Sequence, residues 1–323
     1  MTLHIALIGA GQLGSRYLQG LAKSPRPLHI QVFEPSDGAR ATAAERFSAI
    51  NGSQHKTLEF VDHFNQLLPT PDLLIVATNS NVRHGICMEV LPLLRPRFTV
   101  LEKVLFQQLS HCAEVAQLIE TLGLKVWVNH PTRTWPFYRD LKEQVAGAAF
   151  MHLHVAGGDW GLGCNSLHYL DTLSYLSGGT ALQLSTDSLD PAPHPAKRPG
   201  FYEFFGLLSG RLGTASFSLY CGPTSAPTTM VLTTDKACFR IDPTHGRFER
   251  AQPDSWQWES SQQTIARFQS DATADLLESL IETGQCALPT YKEADTLHRP
   301  FISALCDHMD RHGFASNGVC PIT

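Results

Sequence analysis

The front of the chain constrains it most. Leu3-His4-Ile5-Ala6-Leu7-Ile8 is an apolar run rich in β-formers, and it leads directly into Gly9-Ala10-Gly11-Gln12-Leu13-Gly14. Leu13, Tyr17, Leu18 and Leu21 then recur at helical spacing. The order is strand, tight turn, helix. Each glycine of such a turn has a physical task. Gly9 permits the sharp turn, Gly11 leaves room for a diphosphate against the backbone, and Gly14 lets helix and strand pack closely. The diphosphate would rest on the free N–H groups at the helix N-terminus. A second strand, His29-Ile30-Gln31-Val32-Phe33, ends at Glu34, about 20 residues after Gly14, where a carboxylate can take ribose hydroxyls. These residues predict a dinucleotide site. Glu34 would repel a 2′-phosphate, so NAD is expected before NADP, while Arg40 is close enough in sequence to leave NADP open.

Strand and helix go on alternating. A helix is expected over 39–47 and a weak strand near Leu58-Glu59-Phe60. The run Asp72 to Thr78 has the length and composition of a buried parallel strand, and a helix capped by Asn81 follows it to Leu93. Phe98 to Leu101 is a further strand, a helix runs from Ser110 to Leu122, and Lys125 to Val128 is the last strand of the series. Alternation of this kind means a parallel, doubly wound sheet. Ligands in such sheets sit at the carboxyl ends of the strands. Those ends carry Gly9, Glu34, Thr78-Asn79, Glu102-Lys103 and Asn129-His130.

Beyond residue 128 the pattern changes. Helices are expected over 135–146 and 165–176, a strand over 149–155, and a glycine-rich loop from Gly157 to Gly163. From Leu182 onward come strand-like runs with turn residues and no helices between them, which predicts a mostly antiparallel sheet. Two helices close the chain, near 271–283 and 293–312. The segment 190–199 holds four prolines and is expected to be an irregular loop or flap. The expectation is an α/β protein: a Rossmann-type doubly wound sheet over 1–128 that binds the dinucleotide, and an α+β domain over 129–323 with a large, mostly antiparallel, open-faced sheet. A chain of 323 residues is too long for one comfortable core, which agrees with two domains.

Composition serves mainly to exclude. With 43% hydrophobic and 17% charged residues the chain is globular, and a net charge of −5 points away from nucleic acid. No apolar stretch approaches the ~18 residues of a membrane span. The N-terminus is already a strand, so no signal peptide is expected. Eight cysteines lie scattered without metal spacing and read as reduced thiols of a cytoplasmic protein. No metal site is expected.

Several residues could carry chemistry. Lys103, at the mouth of a strand, would project toward a nicotinamide; alternatively it is a surface lysine paired with Glu102. Asn165, His168 and Thr172 share a helix face opposite a leucine stripe, an arrangement suited to sugar hydroxyls, although a histidine satisfied in the interior would look the same. Trp160 stands on the adjoining loop. Asp171 reads as structural. Lys197 and Arg198 are adjacent cations in an acidic chain and could receive a carboxylate or phosphate, or simply form a solvated loop tip. Arg133 is a further possible substrate contact.

Taken in order, Gly9-x-Gly11-x-x-Gly14-Ser15-Arg16, Ala77-Thr78-Asn79 with His84, Glu102-Lys103, and His168-x-x-Asp171 resemble the Gfo/Idh/MocA family of NAD(P)-dependent oxidoreductases. The resemblance implies a Rossmann domain followed by an open-faced sheet domain that covers the nicotinamide and often forms the interface of a homodimer or tetramer. It implies hydride transfer at a carbon of a sugar or cyclitol. It implies that Gly9, Gly11, Gln12, Leu13, Gly14, Glu34, Thr78, Asn79, His84, Glu102 and Lys103 attend the cofactor. Lys103 and His168 would take the catalytic roles of the family's E-K-P lysine and D-x-x-x-H histidine. Two positions depart from the pattern: Val104 replaces the proline after the lysine, and Cys164 stands where many members carry an aspartate. The sequence therefore predicts an oxidoreductase acting on a sugar-like, possibly anionic substrate (a sugar acid, a nonulosonic-type sugar or a nucleotide sugar). Asn165, His168, Arg133, Trp160, Lys197 and Arg198 would bind it. A non-catalytic redox sensor and an enzyme using bound NAD in a redox-neutral cycle remain the alternatives.

Overall fold

A computed structural model describes residues 2–323. In chain order the elements are β1 (Leu3–Ile8), α1 (Gln12–Ala22), β2 (Leu28–Phe33), α2 (Asp37–Ser48), β3 (Thr57–Val61), β4 (Leu73–Val76), α3 (Ser80–Leu93), β5 (Phe98–Leu101), α4 (Leu109–Leu122) and β6 (Val126–Val128). They continue with α5 (Pro136–Val145), β7 (Met151–Gly158), α6 (Leu162–Ser177), β8 (Leu182–Leu189), β9 (His194–Pro195), β10 (Tyr202–Glu203), β11 (Gly206–Leu212) and β12 (Ala215–Gly222). The last are β13 (Thr229–Thr234), β14 (Cys238–Asp242), β15 (Arg247–Ala251), β16 (Glu259–Gln262), α7 (Gln269–Thr283) and α8 (Tyr291–Arg311). No helix among the described residues is long and apolar enough to cross a membrane.

The chain forms two compact units. One takes the chain up to Phe106, then Ser110–Pro131 and Arg267–Lys292; the other takes Gln107–Leu109, Thr132–Ala266 and Glu293–Thr323.

The first unit is built on a six-stranded parallel sheet in the order β3-β2-β1-β4-β5-β6. Every residue of β4 and β5 is buried, which is what a parallel strand covered on both faces requires. The strand order reverses between β1 and β4, so the crevice at their carboxyl ends is the topological switch point. A single cut at residue 128 does not describe this unit, because α7 returns to it from far down the chain. Leu276, Leu277 and Leu280 join the core that holds Tyr17, Leu18 and Leu21 of α1. The two helices approach so closely that a Cβ on Gly20 would lie 2.5 Å from Thr273 Cβ. Arg26 Nε donates to Glu278 at 2.7 Å, and Val128 N donates to the Pro289 carbonyl at 2.9 Å.

The second unit carries an eight-stranded sheet in the order β16-β15-β14-β13-β7-β12-β11-β8. Only β7 and β12 run parallel; the other neighbours are antiparallel. Along β7, Met151, Leu153 and Val155 are buried while His152 and His154 on the opposite face are half-buried, the period of two expected of a sheet with one covered face. The proline-rich segment is less irregular than its composition suggests: His194 and Pro195 pair with Glu203 and Tyr202 as a two-stranded ribbon. Proline is tolerated there because the ribbon is all edge. The glycine-rich loop is also shorter than expected. Strand β7 runs on through Gly158, and α6 starts at Leu162. Cys221 and Gly222 of β12 pair with Gly157 and Gly158 and carry the strand on, and the segment that follows β12 requires both to be glycine. That segment crosses β7 so closely that a Cβ on Gly158 would lie 2.1 Å from the Thr224 carbonyl oxygen, and one on Gly157 would lie 2.7 Å from Thr228 Cα.

Candidate active site

In the first unit the three glycines separate by cause. Gly9 has φ +89°, and a Cβ there would meet Thr78 Cγ2 at 3.0 Å. A Cβ on Gly14 would lie 2.0 Å from the Gly9 carbonyl oxygen. The protein itself needs both residues to be glycine. Gly11 differs: its φ is −61°, and a Cβ there would meet nothing within 4 Å. Packing does not explain it; space kept open above the backbone does. The N–H groups of Gln12, Leu13 and Gly14 lie in the first turn of α1, where no preceding carbonyl can accept them. No acidic residue sits in that turn, and Arg46 Nη1 donates to Gln12 Oε1 at 3.1 Å and to Ser15 Oγ at 2.7 Å. The helix dipole and a nearby cation together favour an anionic group.

Glu34 lies at the end of β2 as expected. Its Oε2 accepts from Ala10 N at 2.8 Å and its Oε1 from Ser36 N at 2.9 Å, so the loop of the glycine motif and the start of α2 hold it in place. Arg40 is turned away from that carboxylate. It donates to the backbone carbonyls of Glu34 and Val61, and its Nη2 lies 2.8 Å from Asp62 Oδ1. Thr78 and Asn79 sit at the end of β4, at the switch point. Helix α3 starts one turn-half earlier than expected, with Asn79 rather than Asn81 at its N-cap, because the Asn79 carbonyl accepts from Val82 N and Arg83 N.

Two residues expected at the cofactor are otherwise engaged. Glu102 is 3% exposed; its Oε1 accepts from Tyr17 Oη and from Asn129 Nδ2, both at 2.6 Å. Burial raises its pKa, against the opposing pull of the Tyr17 bond and the Arg83 charge. His84 faces α4: it stacks on His111 with ring centroids 3.7 Å apart, and its Nε2 lies 2.9 Å from Glu114 Oε2. Lys103 is half-buried between buried neighbours, and the Lys103–Val104 peptide is cis. The sequence reading missed Arg83. This arginine of α3 is 1% exposed and donates to the carbonyls of Thr78, Glu102, Val104 and Leu105. A lone arginine in a helical stretch gives no signal that it points inward.

In the second unit a cavity of about 890 Å³ gathers several expected residues. Trp160, Asn165, Lys197 and Arg198 all line it, together with Cys164 and Glu203. Gly161, with φ +77°, caps α6, and Glu203 Oε2 accepts from Gly163 N at 2.6 Å. Asn165 Nδ2 donates to the Trp160 backbone carbonyl at 2.6 Å, and Trp160 Nε1 donates to the Tyr220 carbonyl at 2.8 Å, so the residue is held once at its backbone and once at its ring. Lys197 is 92% exposed on its side chain and 3.7 Å from Asp159 Oδ2. His168 and Arg133 do not line this cavity. His168 is half-buried one turn further along α6, and its carbonyl accepts from Thr172 Oγ1, which leaves Thr172 buried. Arg133 is not presented to a ligand. Its Nε and Nη2 donate to Asp171 at 2.9 and 2.6 Å, and its guanidinium lies 5.3 Å from the Tyr175 ring centroid. Asp171 is structural as expected, although its partner is a side chain rather than a backbone N–H. Burial pushes its pKa up to about 6 despite the arginine.

A family model described as the oxidoreductase family with an NAD-binding Rossmann fold, Gfo/Idh/MocA, matches residues 3–130. No protein of curated function matches the sequence. Solved structures of the same fold span nearly the whole chain. UDP-N-acetylglucosamine 3-dehydrogenase GnnA from Acidithiobacillus ferrooxidans is 12% identical, with a TM-score of 0.69 over 94% of this chain and 97% of that one. An oxidoreductase from Agrobacterium radiobacter, in complex with NAD+, L-tartaric acid and magnesium, is 13% identical, with a TM-score of 0.69 over 98% and 97%. The super-repressor mutant of Gal80p from Saccharomyces cerevisiae is 12% identical, with a TM-score of 0.71 over 96% and 97%. At such identities the likeness is one of fold. Residues 3–130 thus match the model of the Gfo/Idh/MocA oxidoreductase family, with its NAD-binding Rossmann fold, and the chain as a whole shares the fold of these oxidoreductases.

Proposed function

We propose that the protein is an NAD-dependent oxidoreductase that moves a hydride to or from a carbon of a sugar-like, anionic substrate. The observation that carries the reading is Gly11, a glycine that neither backbone conformation nor packing demands, at the start of a helix whose first N–H groups are open to an anion. NAD is favoured over NADP because Glu34 stands at the ribose position while Arg40, six residues after it in sequence, is spent on two carbonyls and Asp62. The bound cofactor would supply the hydride acceptor when oxidised and the hydride donor when reduced. Within this reading, Gly9, Gly11, Gln12, Leu13, Gly14, Glu34, Thr78 and Asn79 hold the dinucleotide. Lys103 handles the substrate proton, alone or with His168. Asn165 and His168 bind hydroxyls, the Trp160 ring offers an apolar face to a sugar ring, and Lys197 and Arg198 receive a carboxylate or phosphate. The unit holding residues 132–266 is then the substrate domain, with its exposed sheet face the place for a homodimer or tetramer. No disulfide joins any of the eight cysteines among the described residues, which suits a reducing, cytoplasmic setting.

A second reading has two observations in its favour. Cys164 stands where the resemblance places an aspartate, and a super-repressor mutant of Gal80p is among the structures with this fold. A non-catalytic dinucleotide sensor would fit both. One experiment separates the readings. The purified protein is incubated with NAD or NADP and a panel of sugars and sugar acids, and absorbance of the reduced nicotinamide is followed. Net reduction supports the dehydrogenase. Tight NAD binding without turnover on any substrate supports the sensor. Product without net reduced cofactor supports a redox-neutral cycle.

A further inference from the structure

We infer that Arg83 is the residue that positions Lys103, by gripping the backbone on both sides of it. The inference rests on the proton-handling role proposed for Lys103. The guanidinium is 1% exposed. Its Nη1 donates to the carbonyl of Glu102 at 2.7 Å, to that of Leu105 at 2.9 Å, and to that of Val104; its Nη2 donates to the carbonyl of Thr78. Lys103 thus lies between two carbonyls held by one nitrogen. The same fork reaches the loop after β4, the parallel neighbour of β5. The strand ends that carry Thr78 and Lys103 are therefore tied together through a single side chain.

A buried charge is an expensive way to fill space. An aliphatic residue would pack α3 against the sheet without the desolvation cost. What only arginine supplies is a planar fork with several donors at fixed angles, which an ammonium cannot reproduce. The cost is offset locally. Four carbonyls point their negative ends at the guanidinium, and the Glu102 charge favours its protonated form. Burial lowers its pKa to about 10, so it stays charged at neutral pH. Glu102 is in turn anchored at both ends: its carbonyl by Arg83, and its carboxylate by Tyr17 and Asn129. Lys103 accordingly follows a residue that is held from both sides and precedes one whose carbonyl is clamped.

The test uses the full chain in four forms: wild type, Arg83→Lys, Arg83→Gln and Lys103→Met. Three properties are measured on each: NAD affinity by calorimetry, kcat on the substrate that the panel identifies, and thermal unfolding. The rate at which the Lys103 amine reacts with trinitrobenzenesulfonate is mapped by peptide mass spectrometry in the forms that retain it. The exposed Lys197 serves as internal reference. Arg83→Lys keeps charge and most of the volume, so it is the variant expected to fold even where Arg83→Gln does not. The expected result is a kcat lowered roughly 10- to 100-fold in Arg83→Lys, as a misplacement of about 1 Å would produce, with NAD affinity within about threefold of wild type. The labelling rate of Lys103 should change several-fold while that of Lys197 stays constant. A folded Arg83→Lys protein with wild-type kcat and wild-type Lys103 labelling would overturn the inference. If Lys103→Met retains wild-type turnover, the role of Lys103 in catalysis fails; the labelling rate still decides whether Arg83 positions the lysine.

Discussion

Gly11 and Gly14 make opposite predictions although they belong to one motif. A methyl group on Gly14 collides with the Gly9 carbonyl, so Gly14→Ala is expected to destabilise the protein by about 1–3 kcal/mol, read as a lower unfolding midpoint. A methyl group on Gly11 meets open space, so Gly11→Ala should unfold like wild type and lose NAD affinity, read by calorimetry. Equal loss of stability in both would show that Gly11 serves packing only. Asp171 makes a prediction about pH. Its folded pKa is raised from 3.8 to about 6 by burial, so between those values the folded state holds more proton than the unfolded one. Stability then falls as pH rises through this window. Relative to Asp171→Asn, which cannot titrate, the wild type should lose stability between about pH 4 and pH 6 and hold level above it, as followed by thermal unfolding. Removing the partner is more severe. Arg133→Ala leaves a buried carboxylate unpaired and should cost about 3–5 kcal/mol. Neither Arg133 nor Glu102 could have been placed this way from sequence. An arginine after the last strand and an acid beside a lysine look like surface groups until the chain that surrounds them is known.

The elements themselves were largely legible. The runs that became β1, β2, β4 and β5 are four to six residues of apolar sequence between breakers, and periodicity of that kind is a local property. Illegible were the features made by remote segments. Gly157 and Gly158 read as loop because glycine usually means a turn; they are strand because Cys221 and Gly222 of β12 pair with them, and glycine because the chain near Thr224 and Thr228 leaves no room for a Cβ. Helix α7 was expected in the right place, starting two residues late, but nothing in its pattern says which domain it joins. Its role is testable. A fragment ending at residue 130 lacks Leu276, Leu277 and Leu280, and so exposes the apolar stripe of α1. It is expected to bind a hydrophobic dye and to unfold without a cooperative transition. The full chain with Gly20→Ala, which presses a methyl group against Thr273, should fold but lose about 1–3 kcal/mol.

At the scale of the whole molecule, the consequence of a preformed dinucleotide site is linkage. NAD at 100 times its Kd should stabilise the protein by about 2.7 kcal/mol, seen as a raised unfolding midpoint, and NADP at the same concentration should do less. Glu34→Gln should narrow the difference between the two cofactors. By itself the sequence determined the fold class, the six-strand alternation, the glycine turn and the acid at the end of β2, because each depends on residues within one turn or one strand of another. It also singled out Trp160, Asn165, Lys197 and Arg198, which one cavity gathers. Only the tertiary structure decided which polar residues line an open cavity and which are spent inside. Burial makes that choice: a charge removed from water must find partners, and most partners of Glu102, Arg83 and Arg133 are remote in sequence, up to 85 residues away for Tyr17 and Glu102.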